Sequence, residues 1–297
     1  MDVNELSQAN EGQPPRKPGV APGLHIVATP IGNLGDITLR ALDVLRAVEL
    51  VACEDTRVFA KLASHYGISV PTIAYSDATQ DQAESRIVRA LGQGKRVALV
   101  SDAGMPLISD PGYRLVRAAL AGGHEVTCAP GASAVPMALA LSGLPTDRFF
   151  FGGFLPAKPM ERRRAIAEVA SIPATLVFFE APHRLAASLA DLSELLGPRP
   201  AVVARELTKM FEEVRRAKLT GLAAHYAEAE ARGEIVIVIG APDENQAPAA
   251  DAVDEALRTA LTGASVKDAA SEVAARFGLK RRDVYARALE LKRESAT

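Results

Sequence analysis

Arg96-Val-Ala-Leu-Val-Ser-Asp-Ala-Gly-Met-Pro-Leu-Ile-Ser-Asp-Pro-Gly-Tyr113 reads as a strand, a long polar loop and the first residue of a helix. The hydrophobic strand Arg96–Val100 ends in Ser101-Asp102, followed by Ala-Gly, Pro and a second Ser-Asp-Pro-Gly. Such a loop cannot bury itself. It displays amides, carbonyls, hydroxyls and two carboxylates at the carboxyl end of a strand, where open α/β sheets bind ligands. Pro111 suits the first turn of a helix, Tyr113–Leu120, and Asp110 reads as that helix's cap or as a ligand-facing acid.

Two similar turns flank this one. Ala28-Thr-Pro-Ile-Gly-Asn-Leu-Gly-Asp-Ile-Thr-Leu-Arg40 follows a strand, Leu24–Thr29, and opens a helix in which Leu39, Leu42, Leu45 and Val48 recur at helical spacing. Gly32 and Gly35 permit a tight turn, and Asp36 or Thr38 can cap the helix. The spacing is G-x-x-G, which is neither a dinucleotide fingerprint nor a P-loop. Ala129-Pro-Gly-Ala-Ser-Ala134 follows a strand, Glu125–Ala129, and opens the helix Gly131–Leu141. With Leu50–Cys53 as a further strand, the first half alternates strand and helix. That order predicts a mostly parallel sheet with helices on both faces, and three ligand turns at one edge.

The remainder divides by composition. Residues 1–22 carry Asn, Gln, Glu, Pro and Gly without apolar periodicity and are expected to form a disordered tail. The first domain, 23–146, ends where the pattern changes near Pro145. A second domain, 147–241, alternates less regularly: strands Arg148–Phe154, Thr175–Phe179, Ala201–Arg205, Val214–Leu219 and Glu234–Ile239, with helices Pro159–Val169, Pro182–Leu196 and Leu222–Ala231. Ala201–Arg205 and Val214–Leu219 are expected to pair antiparallel. Residues 242–250 form a linker by composition, and 251–297 hold three short helical patterns, Asp251–Leu261, Val266–Arg276 and Arg281–Leu291. Ser265 and Asp268 fit a capping box, and Phe277-Gly-Leu279 a helix-turn-helix bend.

The net charge of −2 provides no overall field toward nucleic acid, so RNA contact must come from local basic patches. Two exist: Arg162, Arg163 and Arg164 on one helix, and Lys280, Arg281 and Arg282 opening another. Each reads either as a solvated face or as a phosphate contact. Cys53 and Cys128 both lie in apolar runs and read as buried thiols, with no cluster that suggests a metal. No apolar run approaches the roughly 18 residues of a membrane span, and no signal-peptide core is present, so a cytoplasmic protein without membrane contact is expected.

Four of these motifs, together with Phe179-Glu-Ala-Pro-His-Arg184 and Arg205-Glu-Leu-Thr-Lys209, resemble the tetrapyrrole-methylase superfamily. The four are Ala28–Thr38, Cys53-Glu-Asp-Thr-Arg57, Ser101–Gly112 and Pro130-Gly-Ala-Ser133. Within that superfamily they resemble the methylases that modify a cytidine 2′-oxygen in 16S ribosomal RNA. The likeness covers about residues 23–240 and departs at Met105, where a smaller residue is more usual. It implies two α/β domains with S-adenosylmethionine in a cleft between them, a small helical extension at the C-terminus, a homodimer, and ribosomal RNA or the small subunit as partner. By match, Pro30, Ser101, Asp102, Ala103, Gly104, Pro106, Leu107, Ile108, Ser109, Ala132 and Ser133 line the cofactor.

A ribose hydroxyl is a poor acid, so a general base should assist its methylation. Asp102, Glu180, His183 and Glu206 are the candidates, in that order, while Lys209 or Arg184 stabilises the developing oxyanion. Two other readings remain open: methylation of a tetrapyrrole or other small molecule, and an RNA-binding assembly factor without catalysis. The glycine-lined polar loops argue against the second, since a pure binder has no need of them.

Overall fold

The computed structural model describes residues 19–76, 78–242, 250–277, 279 and 281–294. They fall into two compact units, one ending at Ala134 and the next beginning at Val135. Residues 1–18 of the expected tail and 243–249 of the expected linker lie outside the described residues, as do Gly278 and Lys280.

The first unit runs β1 (Gly23–Val27), α1 (Leu39–Ala47), β2 (Leu50–Cys53), α2 (Thr56–His65), β3 (Thr72–Ala74), α3 (Gln80–Gly92), β4 (Arg96–Val100), α4 (Tyr113–Ala121) and β5 (Val126–Ala129). Its sheet has the order β3-β2-β4-β1-β5, and all four pairings are parallel. Alternation along β4 explains the unbroken apolar run. Val97 and Leu99 meet Ile87, Leu91 and Leu115 of α3 and α4, while Ala98 and Val100 meet Leu45, Phe59 and Leu62 of α1 and α2. The helices therefore do cover both faces. Thr38, not Asp36, caps α1, its side chain accepting from Ala41 N at 3.1 Å. Cys53 is buried, but Cys128 is exposed, because β5 is an edge strand.

The second unit contains α5 from Val135 onward (Ala134–Ser142), β6 (Phe149–Phe154), α6 (Pro159–Val169), β7 (Thr175–Glu180), α7 (Leu185–Leu196), β8 (Pro200–Arg205), β9 (Glu213–Lys218), α8 (Leu219–Glu228) and β10 (Ile235–Ile239). The sheet order is β6-β7-β10-β8-β9. Only β6 and β7 run parallel, and the expected antiparallel pair is β8 with β9. One face, with Leu176, Phe178, Val203, Ile235 and Ile237, packs on α6, α7 and α8 around Ile166, Leu189, Leu192 and Leu222.

The same unit includes α9 (Ala250–Leu261), α10 (Val266–Phe277) and α11 (Arg281–Glu294). These helices close on their own core of Val253, Leu257, Ala270, Val273, Val284, Ala288 and Leu291. The capping box forms: Asp268 N donates to Ser265 Oγ at 3.2 Å, and that hydroxyl donates to Asp268 Oδ2 at 2.6 Å. Asp254 and Arg287 join α9 to α11 through contacts of 2.9 and 2.5 Å.

Candidate active site

Strand order builds the site of the first unit. The connection leaving β1 enters α1 on one face, while the connection leaving its neighbour β4 enters α4 on the other. Adjacent loops that part in this way leave a crevice at the strands' carboxyl ends. The two loops are stitched together at its floor. Thr29 N donates to Gly104 O at 2.9 Å and Gly104 N returns a bond to Thr29 O at 3.1 Å. Thr29 Oγ1 adds a bond to Ser101 O at 3.1 Å.

The loops after β2 and β5 join the same cluster. Asp55 N donates to Asp102 Oδ1 at 3.0 Å. Asp55 caps α2 and holds the exposed Arg57, with the closest contact at 2.6 Å. Hydrogen bonds from the Arg57 side chain and backbone lower the Asp55 carboxyl to about 2. Thr38 Oγ1 donates to Pro130 O at 3.3 Å. Gly131 approaches so closely that a Cβ there would stand 2.9 Å from the Cβ of Ala28.

Of the residues expected around the cofactor, Pro30, Ser101, Gly104 and Pro106 are buried. Asp102, Leu107, Ala132 and Ser133 are half-buried, while Ala103, Ile108 and Ser109 are exposed. Gly104 has φ 84°, with its open side toward Ile31 and the carbonyl of Ala132. Leu107 (φ 73°) and Ser109 (φ 64°) are left-handed without being glycine. Such strain gathers at functional loops. Small side chains beside a carboxylate leave room for an adenosyl group attached to a positively charged sulfur.

Asp110, which the sequence leaves open between a helix cap and a ligand-facing acid, is not a cap. Helix α4 begins at Tyr113 with Gly112 as its N-cap and no side-chain cap bond, so Asp110 does not serve that purpose. Burial, opposed by a hydrogen bond from Ser101 and reinforced by the charge of Asp102, raises the Asp110 carboxyl to about 6.

The second unit holds the other candidates. Glu180 ends β7 with its side chain fully buried. It accepts from Ser188 Oγ at 2.5 Å and Ala181 N at 2.8 Å, and pairs with Arg184 at 2.5 Å. That carboxylate is occupied by structure, whereas His183 beside it is exposed. Glu206 (φ 52°) pairs with Lys209 at 2.8 Å, and Lys209 also meets Glu234 at 3.1 Å. The Lys209 hydrogen bond lowers the Glu206 carboxyl. Gly233 makes room for it, since a Cβ there would lie 2.2 Å from Glu206 Oε1.

The basic helix α6 differs from its sequence appearance. Arg162 is 5% exposed and bonds to Asp191 of α7 at 2.6 Å, while Arg163 bonds to Asp191 at 2.8 Å and Glu194 at 2.5 Å. These two join helices. Arg164 faces solvent beside Glu168. On α11, Arg281 and Arg282 are exposed, and Lys280 lies outside the described residues. Among the described residues no group of three His, Cys, Asp or Glu could hold a metal, and no helix is long and apolar enough to cross a membrane.

Residues 23–223 match the family model of Tetrapyrrole (Corrin/Porphyrin) Methylases, and residues 246–292 match that of the RsmI C-terminal HTH domain. A protein of Mesorhizobium japonicum named ribosomal RNA small subunit methyltransferase I is 48% identical over 280 residues, 94% of this chain and 95% of that one. Its namesake in Erythrobacter litoralis is 52% identical over 92% of this chain and 96% of the relative. Among solved structures, uroporphyrin-III C-methyltransferase of Thermus thermophilus complexed with S-adenyl homocysteine aligns with a TM-score of 0.52 and 22% identity, covering 73% of this chain and 97% of that one. Diphthine synthase aligns with a TM-score of 0.57 and 17% identity over 73% and 89% of the two chains. At those identities the structures share the fold.

Proposed function

Since the chain belongs to the tetrapyrrole methylases, in the family of ribosomal RNA small subunit methyltransferase I, we propose that it methylates the 2′-oxygen of a cytidine in 16S ribosomal RNA, with S-adenosylmethionine as donor. One observation carries the reading: the motifs on which the likeness rests in the first unit are the loops hydrogen-bonded into a single crevice. The bound donor supplies a methyl group on a positively charged sulfur, already activated for transfer.

The chain's own residues then have three tasks. Pro30, the loop Ser101–Ser109, Ala132 and Ser133 hold the adenosyl and amino-acid parts. The half-buried Asp102, anchored by Asp55 N–H, would hold the donor's positively charged end. Fixed alignment of oxygen, methyl and sulfur contributes up to about 7–11 kcal/mol in favourable cases. In the second unit, Lys209, Arg184 and His183 address the RNA. Glu180 acts through Arg184 as a positioning residue, and Glu206 does the same through Lys209.

Residues 23–146 serve as the cofactor domain and 147–241 as the substrate domain, with 251–297 an RNA-reading extension through Lys280, Arg281 and Arg282. The protein works as a homodimer. Phe149, Phe150 and Phe154 are exposed on the edge strand β6, and such an edge is normally covered.

The test is transfer of labelled methyl to small-subunit particles from cells lacking the enzyme, followed by mapping. Label on one cytidine ribose is expected. Label on a base, or on a tetrapyrrole in preference to RNA, overturns the reading. Calorimetry with the donor separates an enzyme from an assembly factor, because the latter gives no heat of binding.

A further inference from the structure

Arg162 and Arg163 are paired with acids, so other cations must meet a phosphate backbone. The first unit holds two that are paired with none. Beside α1 and the edge strand β5 lies a cavity of about 540 Å³. Arg40, Arg46 and Arg96 line it against one acid, Asp43. Arg96 meets Glu49 at 3.4 Å. Arg40 and Arg46 have carbonyl partners instead. Arg40 Nη2 donates to Cys128 O at 3.1 Å, and Arg46 Nη2 donates to Tyr66 O at 3.3 Å. Among the described residues neither forms an ion pair. A carbonyl bond aims a guanidinium without cancelling its charge. Each guanidinium carries about five N–H groups, so most of its donors remain for an anion.

The cavity's walls are fixed from within by His25, which is 5% exposed. Its Nε2 must donate to Ala21 O at 2.9 Å, because a carbonyl only accepts, and its Nδ1 meets Thr127 Oγ1 at 2.7 Å. The ring thereby ties the chain entering β1 to β5. The cavity also adjoins the crevice. Thr38, which bonds to Pro130 O there, caps α1, and Arg46 stands roughly two turns further on, about 12 Å along the helix axis.

We propose that this cavity is a phosphate site for the RNA substrate, in which Arg40 and Arg46 bind the backbone a short way from the methylated ribose. The inference rests on ribosomal RNA being the substrate, not on which of its atoms receives the methyl. A chain of net charge −2 has to bind RNA through local excesses of positive charge. Three arginines against one lining acid form such an excess. The two free oxygens of a phosphodiester match the planar fork of a guanidinium. A second copy of the chain suits this face poorly. The carbonyls of Glu125 and Ala129 accept from β1, so by alternation that of Cys128 points outward from the edge. Arg40 already occupies it, which removes an acceptor that a pairing strand would need. An isologous contact centred here would also set arginines against arginines.

The experiment uses the full chain, with small-subunit particles from cells lacking the enzyme as the probe. Arg46→Gln, alone and with Arg40→Gln, is compared with Arg86→Gln. The last removes an exposed cation from α3, on the other face of the sheet. Arg46→Gln is expected to weaken particle binding about three- to tenfold and to reduce the salt slope by about one, with a larger loss in the double variant. Donor affinity by calorimetry and Tm should stay near wild type, and Arg86→Gln should match wild type throughout. A second readout needs no variant. Cys128 lines the cavity and is exposed, whereas Cys53 is buried. Iodoacetamide should therefore alkylate Cys128 in the free protein, and particles should slow that reaction in proportion to the fraction bound. Unchanged affinity and slope in both Arg46 variants, an equal loss in Arg86→Gln, or alkylation that particles do not slow overturns the assignment. Cys128 shielded in free protein and reactive only on dilution assigns the face to a second copy and overturns it as well. Wild-type protein that binds no particles defeats the RNA reading instead.

Discussion

Gly104 has φ 84° and would hold a Cβ 3.2 Å from Ile31 Cγ2, so a methyl group there meets both strain and a neighbour. Gly104→Ala is expected to cost about 1–2 kcal/mol in stability and to weaken donor binding, since the same residue bridges to Thr29. Denaturant melts and calorimetry measure the two effects. Two acids predict opposite responses to pH. The Asp55 carboxyl, lowered to about 2, stabilises the fold above the unfolded value of about 4 and loses that effect as pH falls through 2. The Asp110 carboxyl, raised to about 6, favours folding below about pH 4, and that effect fades as pH rises through 6. Asp110→Asn should therefore raise Tm relative to wild type at alkaline pH and not at pH 4. Sequence made Asp102 legible because it stands beside an evident strand end. Asp110 is legible only as an alternative, because Asp-Pro-Gly before a helix is also an ordinary capping pattern. Its half-buried position follows two left-handed residues, Leu107 and Ser109, which no composition rule announces.

Helices α6 and α7 show how charge misleads when read along one element. Three consecutive arginines suggest a phosphate-binding face, but Asp191 and Glu194 on the next helix claim two of them. Arg162→Ala is expected to leave Asp191 short of its closest partner and lower stability by about 3–5 kcal/mol, without changing the salt dependence of RNA binding. Arg282→Glu, on an exposed stretch, should do the reverse: unchanged Tm, weaker RNA binding, and a salt slope smaller by about one. Filter binding at several salt concentrations, beside thermal melts, distinguishes them. Glu180→Ala belongs with Arg162, since it strands the half-buried Arg184. The strands β1, β2, β4 and β10 were legible from apolar runs. The elements β3 and α3 were not: β3 has three residues, and α3 presents only Ala83, Ile87, Ala90 and Leu91 to the core amid polar neighbours. A short strand and a narrow apolar stripe carry too little periodicity to stand out.

At the scale of the whole chain, the parallel first sheet, the mixed second sheet and the C-terminal helices each close a core of their own. Ending the chain after Ala241 should therefore leave donor binding intact and lower affinity for small-subunit particles, as calorimetry and sedimentation with particles would measure. The alternation of strand and helix made the first sheet legible, but its order was not, because any right-handed arrangement satisfies the same pattern. That order has a bearing on synthesis. β1 pairs with β4 and β5 and with no nearer strand. At about 5–20 residues per second, on the order of 70 residues must be added after β1 before β4 exists, so β1 waits unpaired for about 3–15 seconds. Throughout that interval a nascent apolar segment needs shelter, and holding chaperones have their longest window at Gly23–Val27. The crevice itself cannot form until Ser133 has been translated, which sets the earliest moment at which a donor molecule could bind the growing chain and steady it.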